Sequence, residues 1–145
     1  MSDVLTLSQI RVPGTARSKD DAIREAGEML VEAGAVTPAY IDSMFDRERS
    51  VSTYMGNYLA IPHGTNESKE SIKRSALSVI RYPEPIDWDG NEVLFALGIA
   101  GYQGGHMDIL SRIAIVFSDT DEVDKLVAAR SAEELYNLLN AVNQE

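Results

Sequence analysis

The chain has 145 residues, 44% of them hydrophobic and 25% charged, with a formal net charge of −10. These values describe one soluble globular domain spanning 1–145, large enough for a real hydrophobic core. The acidic balance argues against nonspecific binding to nucleic acid or to anionic membranes, and is compatible with a basic protein partner or simply with solubility. The absence of cysteine excludes a disulfide framework and a Cys-type zinc site. Met1-Ser2-Asp3-Val4-Leu5 has neither the basic start nor the apolar core of a signal peptide. No apolar run approaches the roughly 20 residues of a membrane span. The expectation is a cytoplasmic protein that serves any membrane system through another polypeptide, without inserting into the bilayer itself.

Val4 to Val12 alternates loosely and reads as a strand stopped by Pro13-Gly14. Ser18 opens a helix, with Asp20 and Asp21 in the first turn where the positive helix end favours carboxylates. Ser18-x-x-Asp21 resembles a capping box with Asp in place of Glu. Ala22, Ala26, Met29, Leu30 and Ala33 form the apolar stripe, and Gly34 is the stop. Thr37-Pro38 starts a second helix, with Thr as N-cap and Pro at the first helical position. Its apolar face is Tyr40, Ile41, Met44 and Phe45, flanked by Arg47. Tyr58 to Ile61 is a short strand leading to His63, and Thr65 to Lys73 is polar with a helical turn.

Ala76 to Tyr82 and Val93 to Ala100 read as strands separated by Pro83-Glu84-Pro85 and the turn Asp89-Gly90-Asn91. The second is apolar on nearly every residue, so it should be covered on both faces. Ser78 and Arg81 suggest a wetter outer face for the first. After Gly101-Tyr102-Gln103-Gly104-Gly105-His106 comes a helix from about Met107, with Leu110, Ile113, Ala114 and Phe117 on one face. Asp119 to Ala129 is a further helix, and a last one runs from about Ser131 to Val142 behind a second capping-box pattern, Ser131-Ala132-Glu133-Glu134. The order gives an α/β fold: a layered mixed β-sheet flanked by helices.

His63 is one of two histidines. It stands between Pro62, which limits backbone freedom, and Gly64, which permits close approach of a large partner or an anion. Either it caps a backbone group, or it is a fixed, reachable imidazole able to do covalent chemistry near neutral pH. Thr65 adds a hydroxyl for a ring nitrogen or a phosphate oxygen. His106 follows two glycines and precedes a helix, whose N-terminus attracts anions and favours a neutral imidazole. It reads equally as a surface residue. The strands leading to the two histidines could be adjacent in the sheet. Arg47 by itself reads as a solvated arginine of a charged helix end, although its guanidinium suits phosphate. Two histidines and an arginine are too few for a zinc site, and there is no HExxH spacing, Walker loop or GxSxG elbow. No metal and no nucleotide cofactor is expected.

Asp46-Arg47-Glu48, Thr53-Tyr54-Met55-Gly56-Asn57 and Ala60-Ile61-Pro62-His63-Gly64-Thr65 together resemble the mannitol-type IIA component of the sugar phosphotransferase system. Gly98-Ile99-Ala100, His106 before an apolar helix, and the early Ala22-Ile23-Arg24-x-Ala26-Gly27 segment extend the resemblance over essentially the whole chain. The Ala-Ile-Pro-His-Gly-Thr motif is similar to that of the wider mannitol–fructose IIA superfamily, and the upstream elements point to the mannitol branch. The resemblance implies a single IIA domain acting as a phosphotransferase component. His63 would be the phosphorylated nucleophile. His106 and Arg47 would stabilise the phosphate or the transition state. It further implies phosphoryl transfer from the carrier HPr to His63, and from there to a cysteine of the IIB domain of the membrane permease. Some members carry an acid where this chain has Asn57, which puts any role for a carboxylate there in question. A regulatory or fructose-type IIA domain acting through phosphorylation-dependent binding is the alternative. A third reading, a ligand-binding domain with two structural histidines, predicts no covalent phosphate.

Overall fold

The computed structural model describes residues 4–65, 70–102 and 105–143, with the side chains of His106 and Ala141 outside that description. One mixed sheet organises the chain. Its strands are β1 (Ile10–Arg11), β2 (Tyr54–Gly56), β3 (Leu59–Ala60), β4 (Ala76–Trp88) and β5 (Asn91–Ala100), in the order β1-β4-β5-β3-β2. β1 runs parallel to β4, β4 antiparallel to β5, β5 parallel to β3, and β3 antiparallel to β2. The helices are α1 (Lys19–Glu32), α2 (Ala39–Ser50), α3 (His106–Ser118), α4 (Thr120–Ala128) and α5 (Ala132–Leu139).

The alternation of β5 divides the core in two. Phe95, Leu97 and Ile99 pack with Leu77 and Val79 of β4 and with Ile109, Ile113 and Phe117 of α3. Ala96 and Ala100 face the other way, into a cluster with Ala22, Ala26 and Leu30 of α1 and Tyr40 and Met44 of α2. Every residue of β5 from Val93 onward is buried, as expected for a strand covered on both faces. The small residues on the α1 side let that helix approach closely. A Cβ on Gly98 would lie 2.5 Å from Ser78 Oγ and 3.1 Å from Ala26 Cβ.

The helix starts follow the capping chemistry. Ser18 accepts from the Asp21 amide, Asp119 from the Asp121 and Glu122 amides, and Ser131 from the Glu134 amide. Gly34 at φ +76° ends α1.

Several expectations need correction. Val4 to Val12 is not one strand: Leu7–Gln9 forms a 3₁₀ turn before the short β1. Gln9, buried there, donates to the carbonyls of Val4 and Leu77. In α2 the cap position is Pro38, and no side chain caps it. Ser78 does not face water; it is fully buried and donates to the Ala26 carbonyl, tying α1 to β4. β4 does not stop at the prolines but runs on to Trp88, with a register shift between Arg81 and Ile86. Proline cannot donate to a ladder, so the break in pairing falls where Pro83 and Pro85 sit exposed. α5 ends at Leu139, and a 3₁₀ turn, Asn140–Asn143, continues the chain past Val142. Of the polar turn expected over 65–73, residues 66–69 lie outside the described residues; Glu70 and Ser71 are in a 3₁₀ turn, and Ile72 bridges Val36.

β2 has no counterpart among the expected strands. Gly56 pairs with Leu59 across a two-residue turn in which Asn57 (φ 52°) and Tyr58 (φ 68°) both adopt left-handed conformations. Asp89 (φ 56°) and Gly90 (φ 94°) make the equivalent turn between β4 and β5.

Candidate active site

β3 and β5 are parallel neighbours, so both chains leave the sheet at the same edge. His63 follows β3 by three positions and forms an isolated bridge with Ile99 of β5. The segment after β5 leads to His106, the first residue of α3. The sheet therefore brings the two histidine-bearing segments to one end, as anticipated. His106 stands at a helix N-terminus on its backbone, and its side chain lies outside the described residues.

Half-buried His63 is held on both flanks. Its Nδ1 lies 2.7 Å from the carbonyl oxygen of Ile61. A carbonyl oxygen only accepts, so the neutral ring carries its proton on Nδ1 and its lone pair on Nε2. The Pro62 carbonyl accepts from the Ile99 amide at 3.0 Å. The Gly64 amide donates to the Tyr40 hydroxyl at 2.8 Å, which donates to the Ile99 carbonyl at 2.7 Å. The Thr65 amide donates to Ser43 Oγ at 2.8 Å, and the two hydroxyls of Ser43 and Thr65 are 3.1 Å apart. Burial pushes the Tyr40 phenol up to about 12, against the opposing pull of the Gly64 amide, so it stays neutral as both donor and acceptor.

Tyr40, Ser43, Met44 and Arg47 are spaced i, i+3, i+4 and i+7, which places them on one stripe of α2. The first two hold the loop after His63. Arg47, half-buried at the end of α2, donates from Nη1 to the Val51 carbonyl at 2.8 Å and lines the same cleft as His63. That cleft has a volume of about 510 Å³. Ile61 and His63 form one wall, Met55 of β2 the rim, and Met107, Leu110, Ser111 and Ala114 of α3 the facing wall. Met55 and Met107 are 50% and 60% exposed, so the imidazole is ringed by apolar surface open to a large partner. A guanidinium, an imidazole and apolar walls thus share one open cleft, an arrangement that suits a phosphoryl group.

Reading α2 as an apolar face misses what Tyr40 and Ser43 do. Their signal is in the sequence only as a hydroxyl at each of two stripe positions; the partner amides become visible once the His63 loop is folded against them. Asn57 is occupied elsewhere. Its Nδ2 donates to the Phe117 carbonyl at 2.7 Å, pinning the β2–β3 turn to the end of α3. Among the described residues no group of three or more His, Asp or Glu side chains is placed to hold a metal ion. No described helix is long and apolar enough to cross a membrane.

Residues 3–142 match the family described as "Phosphoenolpyruvate-dependent sugar phosphotransferase system, EIIA 2". The chain belongs to this family. Among relatives of this EIIA 2 chain, the mannitol-specific phosphotransferase enzyme IIA component of Halalkalibacterium halodurans is 50% identical over 141 residues, covering 97% of each chain. Enzyme IIA of mannitol from Escherichia coli, solved in complex with phosphorylated mannitol enzyme IIB, superposes with a TM-score of 0.86 at 31% identity, over 93% of this chain and 96% of that one. The nitrogen regulatory protein IIA-Ntr of Neisseria meningitidis gives 0.81 at 30% identity, over 94% and 96%. The EIIA 2 fold, a mixed sheet with helices on both faces, is thus the one anticipated from the order of elements.

Proposed function

We propose that the protein is a cytoplasmic phosphoryl carrier of mannitol uptake. It accepts the group from phospho-HPr on His63 and passes it to a cysteine of a mannitol-type IIB domain. The observation that carries this reading is the fixed tautomer of His63 inside a cleft shared with Arg47. Nε2 attacks the phosphorus of the donor phosphohistidine. The new P–Nε2 bond forms as the donor P–N bond breaks, and the donor ring leaves with that electron pair as a neutral imidazole. The Ile61 carbonyl holds the Nδ1 proton throughout and stabilises the positive charge that the phosphorylated ring acquires. Arg47 balances charge on the equatorial oxygens, with His106 as the second stabiliser. Positioning and electrostatics do most of the work, because little other covalent chemistry is needed. Transfer must run in both directions, so a shallow cleft serves better than a tight phosphate cage.

The 50% identity to a mannitol-specific relative favours mannitol over other branches. Similarity to a nitrogen regulatory protein supports the second reading, a phosphorylation-dependent binding module of the same fold, at lower identity. The test is incubation with phosphoenolpyruvate, enzyme I and HPr, followed by intact mass and acid lability. One phosphoryl group, lost in acid and absent from His63→Ala, is expected. Labelling that survives in His63→Ala would overturn the assignment. Onward transfer to mannitol-type IIB then separates the carrier from the binding module.

A further inference from the structure

We infer that Tyr40 is a positioning residue for His63, its hydroxyl replacing one rung of the β3–β5 ladder; this rests on His63 being the phosphoryl acceptor. In a parallel ladder a residue bonds through its amide and its carbonyl to the two residues flanking its partner. Ile99 is the partner of His63. Its amide donates directly to the Pro62 carbonyl at 3.0 Å. Its carbonyl reaches the Gly64 amide through the Tyr40 hydroxyl, by bonds of 2.7 Å and 2.8 Å. The Tyr40 hydroxyl of α2 thus links the two groups of the second rung.

The consequence is local. The chain peels off the sheet directly after His63, at the residue whose ring must face the cleft. The Ile61 carbonyl fixes the ring from one side and the Tyr40 relay fixes the backbone on the other. Tyr40 is only 2% exposed, so it cannot touch a docked donor protein. It acts through the placement of His63 alone. A misplacement of about 1 Å at a reacting atom costs on the order of 10²-fold in rate.

The experiment uses the full chain, wild type and Tyr40→Phe, in rapid-quench transfer from phospho-HPr, with ¹H–¹⁵N spectra of the His63 ring. Phenylalanine keeps the ring packing and removes both bonds. The expected result is a 10- to 100-fold lower maximal transfer rate with KM for phospho-HPr changed less than threefold, together with shifted His63 ring signals. An unchanged maximal rate with unchanged ring signals overturns the inference, even if the melting temperature falls. If the wild type takes no phosphate on His63, the carrier reading fails separately. The ring spectra then decide the placement: a shift in Tyr40→Phe upholds it and no shift overturns it. Should Tyr40→Phe not fold, 3-fluorotyrosine at position 40 alters the strength of the hydroxyl as a donor without removing it. With that substitution too, an altered transfer rate and shifted ring signals uphold the placement, and no change in either overturns it.

Discussion

His63 Nδ1 lies 2.7 Å from the carbonyl oxygen of Ile61, two residues earlier in the chain. This contact assigns the proton of the neutral ring to Nδ1 and its lone pair to Nε2. The phosphoryl group is therefore predicted on Nε2. Long-range ¹H–¹⁵N and ³¹P correlation on the phosphorylated protein reads the isomer. Phosphorus coupled to Nδ1 would show that the Ile61 contact breaks before transfer.

Arg47 lines the His63 cleft and is anchored through Nη1 to the Val51 carbonyl. Arg47→Ala is predicted to slow phosphoryl transfer by about 10²–10³-fold while changing stability by less than ~1 kcal/mol. Arg47→Lys should recover only part of the rate, because an ammonium cannot match two phosphate oxygens as a planar fork does. Single-turnover transfer and urea unfolding, measured together, check both halves. Equal rates for Ala and wild type would remove Arg47 from the machinery.

Asn57 combines φ 52° with a side-chain bond to the Phe117 carbonyl. Asn57→Asp replaces the donor with a carboxylate facing a carbonyl at the negative end of α3. It is predicted to cost about 1–2 kcal/mol in urea unfolding. Asn57→Gly tolerates the backbone conformation and loses only the bond, so it should cost less. The reverse order would show that the contact with α3 matters less than the turn.

Glu25 is a buried carboxylate that serves the fold. Burial alone would raise its pKa, but hydrogen bonds from the Thr15 amide, Arg11, the Ala16 amide and the Thr15 hydroxyl hold it down at about 2, against an ordinary value of 4.5. A folded-state pKa below the unfolded one means the stabilisation is complete above pH 4.5 and is lost as pH falls toward 2. Arg11 is partly exposed, so the ion pair itself contributes little, and the amides matter more. Glu25→Gln is predicted to lose about 2–3 kcal/mol at pH 7 and to show a flatter decline between pH 4.5 and 2. Urea unfolding at three pH values measures it; parallel curves for variant and wild type would place the acid transition elsewhere.

Much of the architecture is legible in the sequence because its signals are local. Ser18, Asp119 and Ser131 cap the helices at which they stand, and Gly34 stops α1, since each acts within one turn of its own backbone. The apolar run of β5 announces a doubly covered strand. β2 is hidden because Tyr54–Gly56 is short and half-exposed, and its pairing is made by a turn with Asn and Tyr, not glycine, at positive φ. The span of β4 is hidden because Pro83 and Pro85 look like a break, yet the exposed bulge carries them without ladder bonds.

The sequence by itself determined the chemistry available: an imidazole between proline and glycine, an arginine flanking a helical stripe, and a chain matching one family over nearly its whole length. Tertiary structure alone decided how the surroundings of that imidazole are assembled. The Tyr40 relay to Ile99 and the cleft that joins Arg47 to His63 depend on atoms brought together from α2, β2, β5, α3 and the loop after β3. Hydrogen bonds act over about 3 Å in space, whatever the separation along the chain, so no local pattern of residues could reveal them.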